Sequence, residues 1–244
     1  MLVRPIAAFR ALTFAGVALA LGCANKPPTG GSGTYRGVMV GVTEIGIVQI
    51  TVGAAPSGPL PASGTIEIGG TVISLSGTLD RSHASLSLSS TTGYLLEGDS
   101  RPTYVLGAYQ SPQDAGSFAL FLEPADGSPV LLFCGSFAVT STTNATPLPF
   151  AVAAVPPKNA FCVGPGFAWF GSLDGNATLS CESSGGLFSG NTNADGGNLW
   201  GTGDNYGTWT VAPCGGGADD AGVDSGTGNT PDAAATDSAD AEVD

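Results

Sequence analysis

Short segments recur in the same order along this chain at near-constant spacing, and no other feature limits its fold so tightly. Tyr35-Arg36-Gly37 matches Phe133-Cys134-Gly135. Gly77-Thr78-Leu79-Asp80, followed by Ala84-Ser85-Leu86-Ser87, matches Gly171-Ser172-Leu173-Asp174, followed by Ala177-Thr178-Leu179-Ser180. Further on, Leu95-Leu96-Glu97-Gly98 pairs with Leu187-Phe188-Ser189-Gly190, Val105-Leu106-Gly107 with Leu199-Trp200-Gly201, and Ala115-Gly116-Ser117-Phe118 with Tyr206-Gly207-Thr208-Trp209. The offsets stay between 91 and 98 residues. A self-match of this kind implies a duplicated unit, spanning residues 34–124 and again 129–214.

The unit reads as all-β. Runs such as Gly46 to Val52, Gly64 to Ile68, Val72 to Leu79, Ala84 to Leu88, Ser117 to Leu122 and Gly207 to Val211 alternate apolar residues with Ser, Thr or Gly. Turn residues bound each run, which is the pattern of half-buried strands. Phe167 to Ser180 reads as a hairpin, because Asp174-Gly175 sits between two alternating runs. The expected fold is two diverged antiparallel β-meander halves packed together, as an up-and-down barrel or a sandwich. Each half is near the lower size limit for a self-sufficient core, and the connection Glu123 to Ser128 is short. Both points favour packed halves, even one large barrel, over a pair of small ones.

The flanks are of different character. Residues 1–22 carry Arg4 and Arg10 ahead of the uncharged run Ala11 to Gly22. That run is too short to span a bilayer and fits the apolar region of an export signal. Residues 23–33 begin with Cys23 and continue through Pro27, Pro28 and a Gly/Ser stretch, as a flexible tether would. Residues 215–244 hold eight acidic residues, no basic ones and no aromatics. Such a tail cannot bury enough apolar surface to offset its ordering entropy, so disorder is expected.

The segment Ala20-Leu21-Gly22-Cys23 resembles the lipobox of bacterial lipoprotein precursors. The resemblance implies cleavage before Cys23 and acylation of that residue. Ala20 stands where the family prefers Leu, and Leu21 is bulkier than usual. Two or more acyl chains hold a protein stably on a membrane where one does not. Ala24, in place of the Asp that favours inner-membrane retention in that family, implies an outer-membrane anchor, facing either the periplasm or the cell surface. The acidic tail resembles those common on exported proteins of myxobacteria and their relatives.

Loss of Arg4 and Arg10 leaves five basic residues against 20 acidic ones, a net charge of −15. A chain with no basic patch has no electrostatic source for nucleic-acid binding. Cys134, Cys162, Cys181 and Cys214 form an even set in an exported chain, which suggests two disulfides. Cys162–Cys181 nested inside Cys134–Cys214 would tie the flanks of the central hairpin and the first strand of the half to its last. Cys134–Cys162 with Cys181–Cys214 is the competing pairing. No pair has CxxC spacing and no His lies near, so a zinc site is not indicated.

No catalytic residues or cofactor emerge. The single His83 lies in Asp80-Arg81-Ser82-His83, where the second half has a plain turn. Asp80 and Asp174, the one carboxylate pair placed equivalently by the repeat, read as turn residues. Asn191-x-Asn193-x-Asp195-Gly196 resembles the start of a calcium loop, but its twelfth position is Thr202 instead of Glu, so a polar hairpin loop fits better. Trp169, Trp200 and Trp209 lie in strand-like runs of the second half and are expected to pack inside it. Their alternative role is to line a calyx for a small apolar ligand or a glycan. The expectation is therefore a lipid-anchored, non-enzymatic structural or interaction module of the cell envelope, with a ligand-binding barrel as the alternative.

Overall fold

The computed structural model describes residues 30–139, 146–184, 186–192, 196–201 and 206–215. The expected export segment, Cys23 and the acidic tail from residue 216 lie outside the described residues. Among the described residues every regular element is a β-strand. The first eight are β1 (Gly33–Gly41), β2 (Ile45–Val52), β3 (Leu60–Ile68), β4 (Thr71–Asp80), β5 (Ser85–Ser89), β6 (Leu95–Ser100), β7 (Tyr104–Gln110) and β8 (Ala115–Leu122). The second eight are β9 (Leu131–Val139), β10 (Leu148–Val155), β11 (Asn159–Gly164), β12 (Phe167–Leu173), β13 (Thr178–Ser183), β14 (Gly186–Asn191), β15 (Gly196–Gly201) and β16 (Tyr206–Pro213).

Each set pairs in sequence order, antiparallel throughout, and closes on itself. β8 returns to β1, with Val38 opposite Ala119, and β16 returns to β9, with Trp209 opposite Phe137. The two halves are thus separate small barrels and not one large one. Eight strands are enough to enclose a lumen that side chains can fill. Short connections brought the halves together without merging their sheets.

Closure depends on glycine where first and last strands meet. A Cβ on Gly37 would collide with the carbonyl oxygen of Ala119, and one on Gly135 with that of Thr210. These two glycines are repeat partners, and both mark a close backbone approach that bends the sheet onto itself. A second shared device lies in the hairpins that follow β4 and β12. Ala84 and Ala177 both adopt positive φ, 55° and 61°. Their carbonyls accept the amides of Ser100 (2.6 Å) and Thr192 (2.9 Å) respectively.

Alternation sends one face of each strand into a lumen. Tyr35, Met39, Ile50, Ile66, Leu79, Leu86, Leu96 and Phe118 fill the first barrel. Phe133, Phe137, Phe150, Leu179, Phe188 and Trp209 fill the second. Five strands break the alternation, β9 among them through Leu132. β1, β8, β10 and β11 are apolar on both faces, and their outward residues Val38, Val40, Ala119, Phe121, Ala151, Ala153, Phe161 and Val163 form a third core between the barrels. Two-sided burial requires unbroken apolar runs, which explains Val38-Met39-Val40 and Phe118-Ala119-Leu120-Phe121. Rings from both barrels interlock at this seam, with Phe161 at 4.9 Å from Phe121, 5.1 Å from Tyr104 and 5.3 Å from Phe170.

The N-terminal approach is also fixed. Gly30 N donates to Ser100 Oγ at 3.1 Å, and Tyr35 Oη donates to the Gly31 carbonyl at 3.0 Å. The last residues of the expected tether are therefore held against the first barrel.

Candidate functional site

The chemistry-bearing side chains fall into four places, and most of them serve the fold. On the β4–β5 hairpin, Asp80, Ser82 and His83 lie together. Asp80 Oδ1 accepts the Ser82 amide at 2.6 Å, and Asp80 Oδ2 lies 2.7 Å from His83 Nδ1. Ser82 Oγ lies 2.9 Å from the same Nδ1. A nucleophilic relay needs serine and aspartate on opposite ring nitrogens. Here one nitrogen faces both, and the His83 side chain is 78% exposed. The Ser82 hydroxyl, with His83 and the Ser82 amide adding to it, holds the Asp80 carboxyl well below the usual range. Asp174 occupies the matching turn in the second barrel, where its Oδ1 accepts the amides of Asn176 (2.9 Å) and Thr178 (2.8 Å).

At one mouth of the first barrel, Asp114 clamps the β1–β2 turn. Its oxygens accept the amides of Val42 (3.0 Å), Thr43 (2.9 Å), Glu44 (3.2 Å) and Ala115 (2.8 Å), and the Thr43 hydroxyl. Burial pushes this carboxyl up, but the amides of Thr43, Val42 and Ala115 outweigh it, and the pKa lies below the ordinary aspartate value. Tyr94 Oη donates to Glu44 Oε2 at 3.3 Å. Burial, followed by the charge of Asp114, pushes the neighbouring Tyr109 hydroxyl far up. These contacts close the barrel end.

The second barrel holds an aromatic stack. Phe150 stacks on Phe188 at 4.6 Å, Phe167 on Phe188 at 5.8 Å, and Trp169 lies 5.1 Å from Phe188. Trp209 is 1% exposed, and its indole N–H donates to the Ser189 carbonyl at 3.3 Å. Trp169 is half-buried beside Phe167. Trp200 lies on β15 opposite Leu187 and Tyr206; its side chain is outside the described residues, as are positions 193–195 of the calcium-like loop.

Both disulfides are in this barrel. Cys134–Cys214 joins β9 to the end of β16 from outside, and Cys162–Cys181 joins β11 to β13 within the lumen. The inner bridge passes over β12 at Gly171, whose missing side chain leaves room for the Cys181 sulfur. Two disulfides are the chemistry of an oxidising compartment outside the cytoplasm.

The fourth place was not visible in the sequence. A cleft of about 470 Å³ lies on the outer wall of the first barrel, lined by Ser85, Ser87, Glu97, Asp99 and Leu106 over the paired glycines Gly98 and Gly107. A second cleft of about 450 Å³ opens at the seam, among Phe121, Leu122, Thr103, Val155 and Asn159. Comparison with family models, with curated proteins and with solved structures finds no match for this chain. Its class is set by the fold alone, a disulfide-bonded tandem of eight-stranded barrels.

Proposed function

We propose that this chain is an exported, lipid-anchored recognition module of the cell envelope that acts through the outer surface of its barrels, without catalysis. The observation that supports this most is that the described inward side chains of both barrels pack into buried apolar cores. Recognition is thereby left to the exterior, where the cleft lined by Ser85, Ser87, Glu97 and Asp99 lies. Among the described residues, the turn aspartates and His83 are bonded to one another or to turn amides, which supports a turn-building role for them. The anchor rests on Cys23 and the apolar run before it, and the tether holds the double barrel off the lipid surface.

Expression of the full chain in a diderm host tests the reading. Labelled fatty acid should enter the protein, and the protein should fractionate with the outer membrane. Cys23→Ser should lose the label and leave the membrane fraction. A Cys23→Ser protein that stays on the membrane, or a wild type without label, refutes the anchor. A second reading, a small apolar ligand in the second barrel, is favoured by the half-buried rings Phe167 and Trp169 at the edge of the aromatic stack. It requires that such a ligand change tryptophan emission, and it fails if emission is constant across apolar ligands.

A further inference from the structure

The outer wall of the first barrel carries hydroxyl groups in register across β2 to β5. Thr51, Ser63, Ser76 and Ser89 stand opposite one another across β2, β3, β4 and β5. Thr78, Ser87 and Glu97 form the next row, and Ser85 stands opposite Asp99 in the row beyond. All are outward residues of alternating strands, and most are exposed. Strands lie roughly 4.8 Å apart, so the four-strand row extends over roughly 14 Å.

The second and third of these rows lead into the cleft. Its floor is low because Gly98 and Gly107 face the lumen opposite each other. A Cβ on Gly98 would lie 2.8 Å from Phe118 Cζ, so the wall rests directly on that ring. Glu97 and Asp99 flank Gly98 along β6, Ser87 and Ser85 stand opposite them on β5, and Leu106 stands opposite Asp99 on β7. None of Ser85, Ser87, Glu97 or Asp99 makes a side-chain hydrogen bond to another described residue. That separates the two acids from Asp80, Asp114, Asp126 and Asp174, each of which holds turn amides.

The second barrel supplies an internal comparison. Ser172, Ser180 and Ser189 occupy the row that corresponds to Thr78, Ser87 and Glu97. By the repeat offset, Asn191 stands for Asp99. The duplicated unit therefore has the hydroxyl row twice and the acids once.

We propose that the β5–β7 cleft of the first barrel binds an uncharged glycan, with Glu97 and Asp99 accepting sugar hydroxyls and Ser85 and Ser87 both donating and accepting. The proposal rests on the reading of the chain as a surface-recognising module. The lining contains no basic residue, so phosphates and acidic sugars are repelled. A metal ion lacks a ligand set, since no group of three acids, cysteines or histidines converges among the described residues. An ammonium group would use only acceptors and leave the serine donors idle, whereas a polyol uses both. Leu106 gives the C–H face of a pyranose ring an apolar contact, and the hydroxyl rows meet further sugars of a chain that crosses the strands.

Titration of the full chain with uncharged hexaoses (cello-, malto-, xylo- and chitohexaose), followed by calorimetry, tests this. At least one should bind, and Glu97→Gln with Asp99→Asn should weaken it by about tenfold or more, about 1.4 kcal/mol. Both side chains are exposed, so an unchanged thermal melt should confirm that the double variant is folded. Ser172→Ala with Ser180→Ala, on the second barrel, should leave binding unchanged. Binding that survives the acid substitutions, or that moves with the serine pair of the second barrel, overturns the assignment, as does a panel with no binder. A silent panel on a chain that still fractionates through Cys23 refutes the cleft and leaves the anchored module standing.

Discussion

Phe161 makes three of the ring contacts at the seam between the barrels. It points outward from the second barrel, is 0% exposed, and touches Tyr104 and Phe121 of the first. A buried aromatic ring removes about 150–250 Å² from water, about 4–6 kcal/mol at 25 cal/mol per Å². Alanine retains part of that, and the neighbours relax partly into the gap, so Phe161→Ala should cost about 3–5 kcal/mol. Because the lost contacts cross the seam, the loss should appear as uncoupling. All three tryptophans lie in the second half of the chain, while four of the five tyrosines lie in the first. Denaturation by guanidinium, followed by tryptophan emission and far-ultraviolet dichroism, should give coincident transitions for the wild type and separated ones for Phe161→Ala. Coincident transitions in the variant, with a loss under about 1 kcal/mol, would refute the idea that the seam couples the barrels.

Closure glycines should tolerate no side chain: Gly37→Ala and Gly135→Ala should each destabilise by about 1–3 kcal/mol or more in a melt, since the added carbon meets backbone and not a movable side chain. Ala84→Gly and Ala177→Gly should do the reverse and stabilise by up to about 1 kcal/mol, by relieving the left-handed backbone of both residues. Asp114→Asn should cost about 1–2 kcal/mol near neutral pH after allowance for screening at a partly exposed turn. The native Asp114 pKa is depressed, so its contribution is complete above the ordinary value of about 3.9 and fades as pH falls through the folded value. The gap between wild type and variant should therefore close in acid melts, and a gap that widens there would contradict the clamp. Loop-closure entropy assigns about 3 kcal/mol to the Cys162–Cys181 loop and about 4.5 kcal/mol to the Cys134–Cys214 loop. A mild thiol reductant should open Cys134–Cys214 first, because both sulfurs of the other bridge belong to fully buried residues.

Much of this architecture could be read from local pattern. Alternation in Val72 to Leu79 and Ala84 to Leu88 marks β4 and β5 because each has one face in the lumen and one in water. The repeat pairs β1 with β9 and β8 with β16, and the structure adds shared details, such as the left-handed alanines. Closure was less legible, since pairing of β1 with β8 joins residues far apart in sequence and no local signal reports it. The seam had a signature that went unread: the unbroken runs in β1, β8, β10 and β11 break the alternation because both faces are buried. The cleft had none. Glu97 and Asp99 look like ordinary solvent-facing strand residues, and their placement opposite Ser87 and Ser85 exists only once the register is known.

The outer disulfide also has a mechanical meaning. Cys134 stands near the start of the second barrel and Cys214 just past its last strand. A pull between the N-terminus, held at a membrane as proposed, and the C-terminal tail would enter at β1, traverse the first barrel, and then cross from Cys134 to Cys214 through the sulfur bridge. Everything between those cysteines, all of β10 to β15 included, is bypassed by that covalent link and carries no tension. The first barrel is the spring of this molecule, and the second, stapled shut, is a load that rides on it.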